Sequence, residues 1–387
     1  MVPKKRFLII QIGLLIFLIG AFIAFTRLAN IEPHSTLIGV STSQVASGAS
    51  TDTATSSTEV VVTTTTDAIA GETKSPQKST KKAMKPESAT STEVRRVEKP
   101  YTTPPLPFTT INDHARAALV NILCVPRTGG SLHPISASGV IIDPRGVVLT
   151  NAHVAQYVLL SEAAQVDLRC ELRVGSPAKA RYAPRVMYLP KAWVEAHAKD
   201  ILASHPLGTG EHDYALIHIA SSLDGTPLPS SFPYLQPDAR ETIGFVGDDV
   251  LVASYPAEFL GGYATYDNLY SATSVTSIKQ LLTITGPTVD LISVGGVIGA
   301  QSGSSGGGVV NAWDRLIGII TTTSLGATTA ERDLRAITLS YISADLLAQS
   351  GFDLDLTLRG DPSAQTFDFT KDQAPYLIGV LLKQIIH

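Results

Sequence analysis

The 387-residue chain is poor in cysteine: only Cys124 and Cys170 occur, and no C-x-x-C pair is present. That excludes a disulfide-dense mini-fold and gives no zinc-type ligand spacing. Two thiols suffice for one bridge in an oxidising compartment, or for two separate buried thiols, and both readings stay open. H-E-x-x-H and other tight ligand patterns are missing too. His197, His205, His212 and His218 therefore read as exposed loop histidines, with no metal and no cofactor expected. Positive charge is scarce in the folded part. From Tyr101 onward 18 Lys and Arg stand against 26 Asp and Glu, a net of −8. Nucleic acid is thereby disfavoured as a partner, because phosphate binding needs a basic face. No internal repeat is visible.

Long apolar runs are rare, with one exception near the start. Residues 7–25 are apolar apart from Gln11, Gly13 and Gly20, and follow Lys4-Lys5-Arg6. At about 1.5 Å per residue a helix here nearly matches the roughly 30 Å hydrocarbon core. A cleavable signal peptide would have a shorter apolar region and a small-residue cleavage site. An uncleaved anchor at 7–26 is the expectation, behind a cytoplasmic tail at 1–6. Basic residues before the run against Arg27 alone beyond it place the amino terminus in the cytoplasm. A single-pass cell-membrane protein with an extracytoplasmic body follows. Residues 27–107 are dominated by Ser, Thr, Pro and Lys. Such a stretch cannot bury enough apolar surface to offset its chain entropy, which predicts a disordered linker.

Beyond the linker the pattern changes to many short apolar runs separated by turn residues. A short helix is expected over 112–121. Strands are expected at 119–125, 137–142, 147–150, 166–174, 181–188, 214–219, 250–254, 281–284, 289–294, 309–310, 316–323 and 337–340. Helical spacing interrupts them at 191–203, and two more helices are expected at 343–349 and 375–386. Short strands with few long helices indicate an all-β barrel or sandwich, not a βαβ fold. The main domain is expected at 108–350, with a C-terminal extension and terminal helix at 351–387.

Three places carry chemistry. Thr150-Asn151-Ala152-His153-Val154 is a strand end turning into a short helix. Asp213-Tyr214-Ala215-Leu216-Ile217 puts an acid at the start of an apolar strand. Gly303-Ser304-Ser305-Gly306-Gly307-Gly308 is a tight loop between two apolar runs. A serine nucleophile needs an imidazole to take its proton, a buried carboxylate to orient that imidazole, and backbone donors facing an oxyanion. The loop also fits G-x-S-x-G, but α/β-hydrolases place Asp and His after the serine, and only His387 follows Ser305. The order here is His, Asp, Ser.

With that order the chain resembles the trypsin-like serine proteases of the bacterial HtrA/Deg-like type, over about residues 115–344. Ser138-Gly139-Val140-Ile141-Ile142-Asp143 through His153 resembles the first-barrel signature, and Gly303–Gly307 followed by Leu316-Ile317-Gly318-Ile319-Ile320 the nucleophile loop and its next strand. The resemblance implies a double six-stranded β-barrel with short helices. It implies His153 as general base, Asp213 as its orienter, Ser305 as nucleophile, and the N–H groups of Gly303 and Ser305 as oxyanion hole. Thr321, Thr322 and Thr323 would pair with the substrate backbone. Gly299 would lie near the base of the primary specificity pocket, favouring a small or apolar side chain over Lys or Arg. A bridge between Cys124 and Cys170 is one of the two open readings.

Two departures bear on regulation. Ser304 stands where animal trypsins have Asp, and no Ile-Val-Gly-Gly start is present, so activation by a new amino terminus is not expected. The residues after Ile342 are too few for the PDZ domain that HtrA proteins usually add. Two functions follow: an endopeptidase acting on extracytoplasmic proteins or peptides, or a catalytically silent trypsin-like domain serving as a surface binding or adhesion module. Oligomeric state is not legible.

Overall fold

The computed structural model describes residues 87–88, 100–127, 131–203, 210–241, 243–257, 268–284, 288–297, 302–323 and 333–385. The anchor expected at 7–26 and most of the linker at 27–107 lie outside the described residues. Among the described residues no helix is long and apolar enough to cross a membrane.

A two-residue strand, β1 (Glu87–Ser88), precedes helix α1 (Phe108–Ala118). The helix starts four residues earlier than its polar Asn112 suggests. Pro107 sits at the N-cap with φ of −60°, where its missing N–H costs nothing. Ile111, Ala115 and Ala118, at helical spacing, form the buried face.

The first barrel is built from β2 (Leu119–Pro126), β3 (Ile135–Asp143), β4 (Val147–Thr150), β5 (Leu168–Val174), β6 (Lys179–Tyr188) and β7 (Ala215–Ser222). It closes in the order β2-β3-β4-β7-β6-β5. Helix α2 (Ala152–Leu160) follows β4 directly. Helix α3 (Lys191–His197) continues into a 3-10 turn, Ala198–Leu202, and buries Trp193, Val194, Ala198 and Ile201. Cys124 of β2 and Cys170 of β5 are ladder partners and form a disulfide across 46 residues of sequence. Of the two readings the thiols allowed, the bridge is the one present.

The second half comprises β8 (Gln236–Pro237), β9 (Asp249–Ser254), β10 (Ala272–Ser277), β11 (Gln280–Thr283), β12 (Leu291–Gly295), β13 (Gly308–Asn311), β14 (Arg315–Thr323) and β15 (Leu334–Thr338). Its ladder runs β1-β11-β12-β15-β14-β13-β9-β10, with β8 against β14. This differs from the expected second closed six-stranded barrel: among the described residues the ladder stays open between β10 and β11. The outer edge of β11 is taken by β1, which pairs with Leu282 and Thr283, and Ile278 and Lys279, which separate β10 from β11, bond to Asp248, Gly247 and Ser293.

Four helices complete the chain: α4 (Leu339–Ser350), α5 (Leu354–Arg359), α6 (Pro362–Asp372) and α7 (Ala374–Ile385). Their ends follow sequence rules. The side chains of Thr338, Asp353 and Asp361 cap α4, α5 and α6 by accepting from backbone N–H groups. Gly351 ends α4 in the left-handed conformation. Leu377 and Leu381 of α7 join the first-barrel core. A second apolar cluster, including Val140, Leu149, Leu251, Tyr255 and Val310, packs the two halves together. A third fills the second sheet around Val252, Ile292, Val309 and Ile320.

Residues 100–107, expected as the last part of the linker, lie instead against the domain. Tyr101 packs on Trp313 with ring centroids 5.1 Å apart and donates to Asp238. Leu106 N–H donates to Ala312 at 2.8 Å. Trp313 Nε1–H donates to the Thr103 carbonyl and Arg240 to the Pro100 carbonyl, so an aromatic contact and three backbone groups with partners hold this segment.

Candidate active site

Each of the three chemical side chains stands where an element begins or ends, and each is fixed by the barrel behind it. His153 is the second residue of α2, two after Asn151 in the N-cap position. Asn151 Nδ2 donates to the carbonyl of Asp213 at 2.9 Å, so the start of α2 and the start of β7 are pinned together. His153 Nδ1–H donates to Asp213 Oδ2 at 2.9 Å and lies 3.1 Å from Oδ1. The backbone N–H of His153 donates to Asp213 Oδ1 at 3.0 Å. Both side chains are buried, Asp213 completely.

A third donor reaches the same carboxylate. Thr321 Oγ1 donates to Asp213 Oδ2 at 2.7 Å across 108 residues of sequence. Burial alone would push the Asp213 carboxyl up. The neighbouring His153 charge, the His153 ring N–H, the Thr321 hydroxyl and the His153 backbone N–H outweigh it and hold the carboxyl below the usual range. The arrangement engages one ring nitrogen of His153, Nδ1, with Asp213 and leaves Nε2 outside that contact.

The loop 303–307 is held from both halves of the molecule. Ser138 of β3 is the hub. Its N–H donates to the Ser305 carbonyl at 2.8 Å, its Oγ donates to the Gly303 carbonyl at 2.7 Å, and the same Oγ accepts from Tyr255 N–H at 2.9 Å. Thr150 Oγ1, three residues before His153, donates to the Ser138 carbonyl at 2.8 Å. Gly306 packs into this corner with φ of +82°, and a Cβ there would overlap Ser138 O and Thr150 Oγ1. Gly303, with φ of +93°, has Tyr255 O and Ala257 N where a Cβ would be, at 2.7 and 2.9 Å. Only glycine combines the left-handed backbone with that approach.

Ser304 points inward, fully buried, with its hydroxyl 3.1 Å from Ser254 Oγ. Ser305 is the partly exposed serine of the loop. Among the described residues neither Gly303 N–H nor Ser305 N–H donates to a protein acceptor. No hydrogen bond joins Ser305 Oγ to His153; the ring of His153 is bonded through Nδ1 to Asp213. Such bonds are commonly long before substrate arrives.

The structure thus brings His153 and Asp213 into direct contact, ties Gly303 and Ser305 to Ser138 of β3, and seats Gly306 against Thr150 at the end of β4 that leads toward His153. Thr321 of β14 belongs to the site by its bond to Asp213, a different contact from the substrate pairing expected of it. Thr322 and Thr323 continue β14, with backbone partners Arg335 and Leu334. Gly299 lies outside the described residues. Ser138 and Thr321 were missed as positioning groups, because their partners are distant in sequence and no local pattern marks them.

The histidine reading needs correction. His197 closes α3 and His218 lies within β7, half-buried; neither is a loop residue. His212 is bonded to Asp345, and His205 lies outside the described residues. Strand and helix membership followed from neighbouring apolar residues, not from the histidines themselves. No group of three metal-ligating side chains is found among the described residues.

Residues 137–319 match a family model described as "Trypsin-like peptidase domain". No curated protein matches the chain. Among solved structures, the serine endoprotease from Yersinia pestis is 20% identical, covers 65% of this chain and 70% of its own, with a TM-score of 0.38. The HtrA-type protease AlgW with tripeptide is 18% identical, covering 64% of this chain and 65% of its own, with a TM-score of 0.40. This chain therefore spans just under two thirds of the second structure's length.

Proposed function

We propose that the domain at residues 137–319, which matches the trypsin-like peptidase model, is that of a serine endopeptidase, with His153, Asp213 and Ser305 as its catalytic triad. The observation that carries the reading is the fully buried Asp213 carboxylate, bonded to His153 Nδ1 beside a glycine loop that presents Ser305. In the proposed cycle Ser305 Oγ attacks the carbonyl carbon of the scissile peptide bond while His153 Nε2 takes the hydroxyl proton. The proton then passes to the leaving amine, the C–N bond breaks, and the acyl group stays on Ser305 as an ester. Water, deprotonated by the same nitrogen, attacks the ester; the C–Oγ bond breaks, the acid leaves, and His153 returns the proton to Ser305 Oγ. Asp213 accepts the Nδ1–H bond throughout and stabilises the imidazolium. The N–H groups of Gly303 and Ser305 receive the negative charge on the tetrahedral oxygen.

Peptide and protein substrates follow from the domain. Their backbone would pair with the strand of Thr321, Thr322 and Thr323, and Gly299 favours a small or apolar side chain in the primary pocket. The apolar run at 7–26 anchors the enzyme in the membrane, with the peptidase outside the cytoplasm. The Cys124–Cys170 bridge supports that placement, since disulfides persist in oxidising compartments.

The missing Ser305 Oγ–His153 bond fits a waiting active site and equally a second reading, a silent trypsin-like binding module. A fluorophosphonate probe separates the two, because it reacts only with an activated serine. Labelling of the full-length chain that disappears in Ser305→Ala is the expected result; a folded chain that takes no label leaves the binding module.

A further inference from the structure

The residue before Asp213 is built unlike its neighbours. His212 has φ of +54°, a left-handed conformation that is unfavourable for an L-residue with a Cβ. Its carbonyl accepts from Tyr214 N–H at 3.0 Å, closing a three-residue turn with Asp213 at the apex. The direction in which the Asp213 side chain leaves the backbone is therefore set by the conformation of His212.

What holds that conformation comes from the far end of the chain. His212 Nδ1–H donates to Asp345 of α4, 2.9 Å from Oδ1 and 3.0 Å from Oδ2. The His212 backbone N–H donates to the hydroxyl of Tyr341, also on α4, at 3.2 Å. Gln349, one turn after Asp345, donates to Asp345 Oδ2 and sits beside the same imidazole. The charged groups facing the ring are Asp345 and, at 3.9 Å from Nε2, Glu211. Asp290 faces Tyr341, and the Tyr188 and Tyr214 rings stack between β6 and β7 beside Asp345. With two carboxylates around it and the Asp345 bond foremost, the imidazole is held above its usual value.

We propose that His212, tied by its side chain to Asp345 and by its backbone to Tyr341, is a positioning residue for Asp213, so that helix α4 orients the triad carboxylate. This rests on the triad reading above. The chain of contact is short: α4 fixes His212, His212 fixes the turn, and the turn aims Asp213 at His153. A strained backbone residue persists only where its surroundings over-determine it, and such residues gather at functional sites. Here the surroundings are named, and they lie outside the residues that touch substrate.

Three substitutions at one position separate backbone tolerance from the tie. Asparagine adopts left-handed angles readily and places Nδ2 where histidine has Nδ1, so His212→Asn keeps both. His212→Gly keeps the backbone freedom and loses the tie, and Asp345→Asn removes the charge from the other side. Ser305 labelling by a fluorophosphonate, followed as a rate against probe concentration on the full-length chain, gives the maximal rate and the half-saturating concentration separately. Expected are a wild-type maximal rate for His212→Asn and a loss of ~10- to ~100-fold for His212→Gly and Asp345→Asn, with half-saturation unchanged. The same samples are melted, and equal final labelling normalises each to its folded fraction. Wild-type rates in His212→Gly and Asp345→Asn overturn the proposal, as does a His212→Asn variant as slow as the glycine one. A wild-type chain that takes no label removes the triad reading and this one with it, which distinguishes the two failures.

Discussion

Thr321→Val tests how the Asp213 carboxylate is stabilised. Valine replaces the Thr321 hydroxyl by a methyl of similar size and removes one bond of 2.7 Å to a carboxylate with no access to water. A hydrogen bond to a charged acceptor contributes about 1.5–3 kcal/mol. At 1.36 kcal/mol per unit this raises the folded-state Asp213 value by about 1–2 units. Asp213 is held below its ordinary value in the folded protein. A depressed carboxylate contributes stability that is present above the unfolded value, about 3.9, and lost as pH falls through the folded value. The variant therefore loses about 1.5–3 kcal/mol at pH 7, and the two proteins converge as pH falls through the carboxylate range. Urea denaturation at pH 7 and at steps toward pH 2 measures the difference. Labelling of Ser305 should slow in parallel, because a carboxylate missing one donor is free to turn from His153. A stability difference that is absent at pH 7, or unchanged at acid pH, refutes this account of Asp213.

Two further outcomes follow from the fold. Gly306→Ala puts a Cβ against Ser138 O and Thr150 Oγ1 at a left-handed backbone position, so the loop shifts and Ser305 labelling is lost; alanine at Gly225, also left-handed but with open space around it, should lower the melting temperature slightly and leave labelling intact. Replacing both Cys124 and Cys170 by alanine opens a loop spanning 46 residues, worth about 3–4 kcal/mol by chain entropy, and denaturation of the oxidised and bridge-free proteins should differ by that amount.

How much of this was legible before the fold depended on how local each feature is. His153, Asp213 and Ser305 stood out because each is flanked by its own strand or turn pattern, and their order along the chain rejected the α/β-hydrolase alternative. Of the C-terminal helices, α4 was legible with its stop at Gly351, and α7 by its apolar run; α5 and α6 were not read, because each is short and its apolar residues are few, although Asp353 and Asp361 cap them. Whether Cys124 meets Cys170 depends on the pairing of β2 with β5, a register that only the closed barrel supplies. Thr321 read as part of a substrate strand, and its bond to Asp213 arises because β14 approaches β7 from the other half of the molecule. His212 looked like one of four loop histidines, because nothing near it in sequence points to Asp345. The open ladder at Ile278-Lys279 was invisible for the same reason: continuous apolar runs do not show which backbone groups find partners off the sheet.

The central claim is that Ser305 is an activated nucleophile, and mass mapping of a fluorophosphonate adduct tests it most directly. The account predicts one adduct, on Ser305, formed by the full-length chain and absent from Ser305→Ala and from His153→Ala. A folded chain that stays unlabelled, or an adduct on another serine that survives in Ser305→Ala, would contradict it.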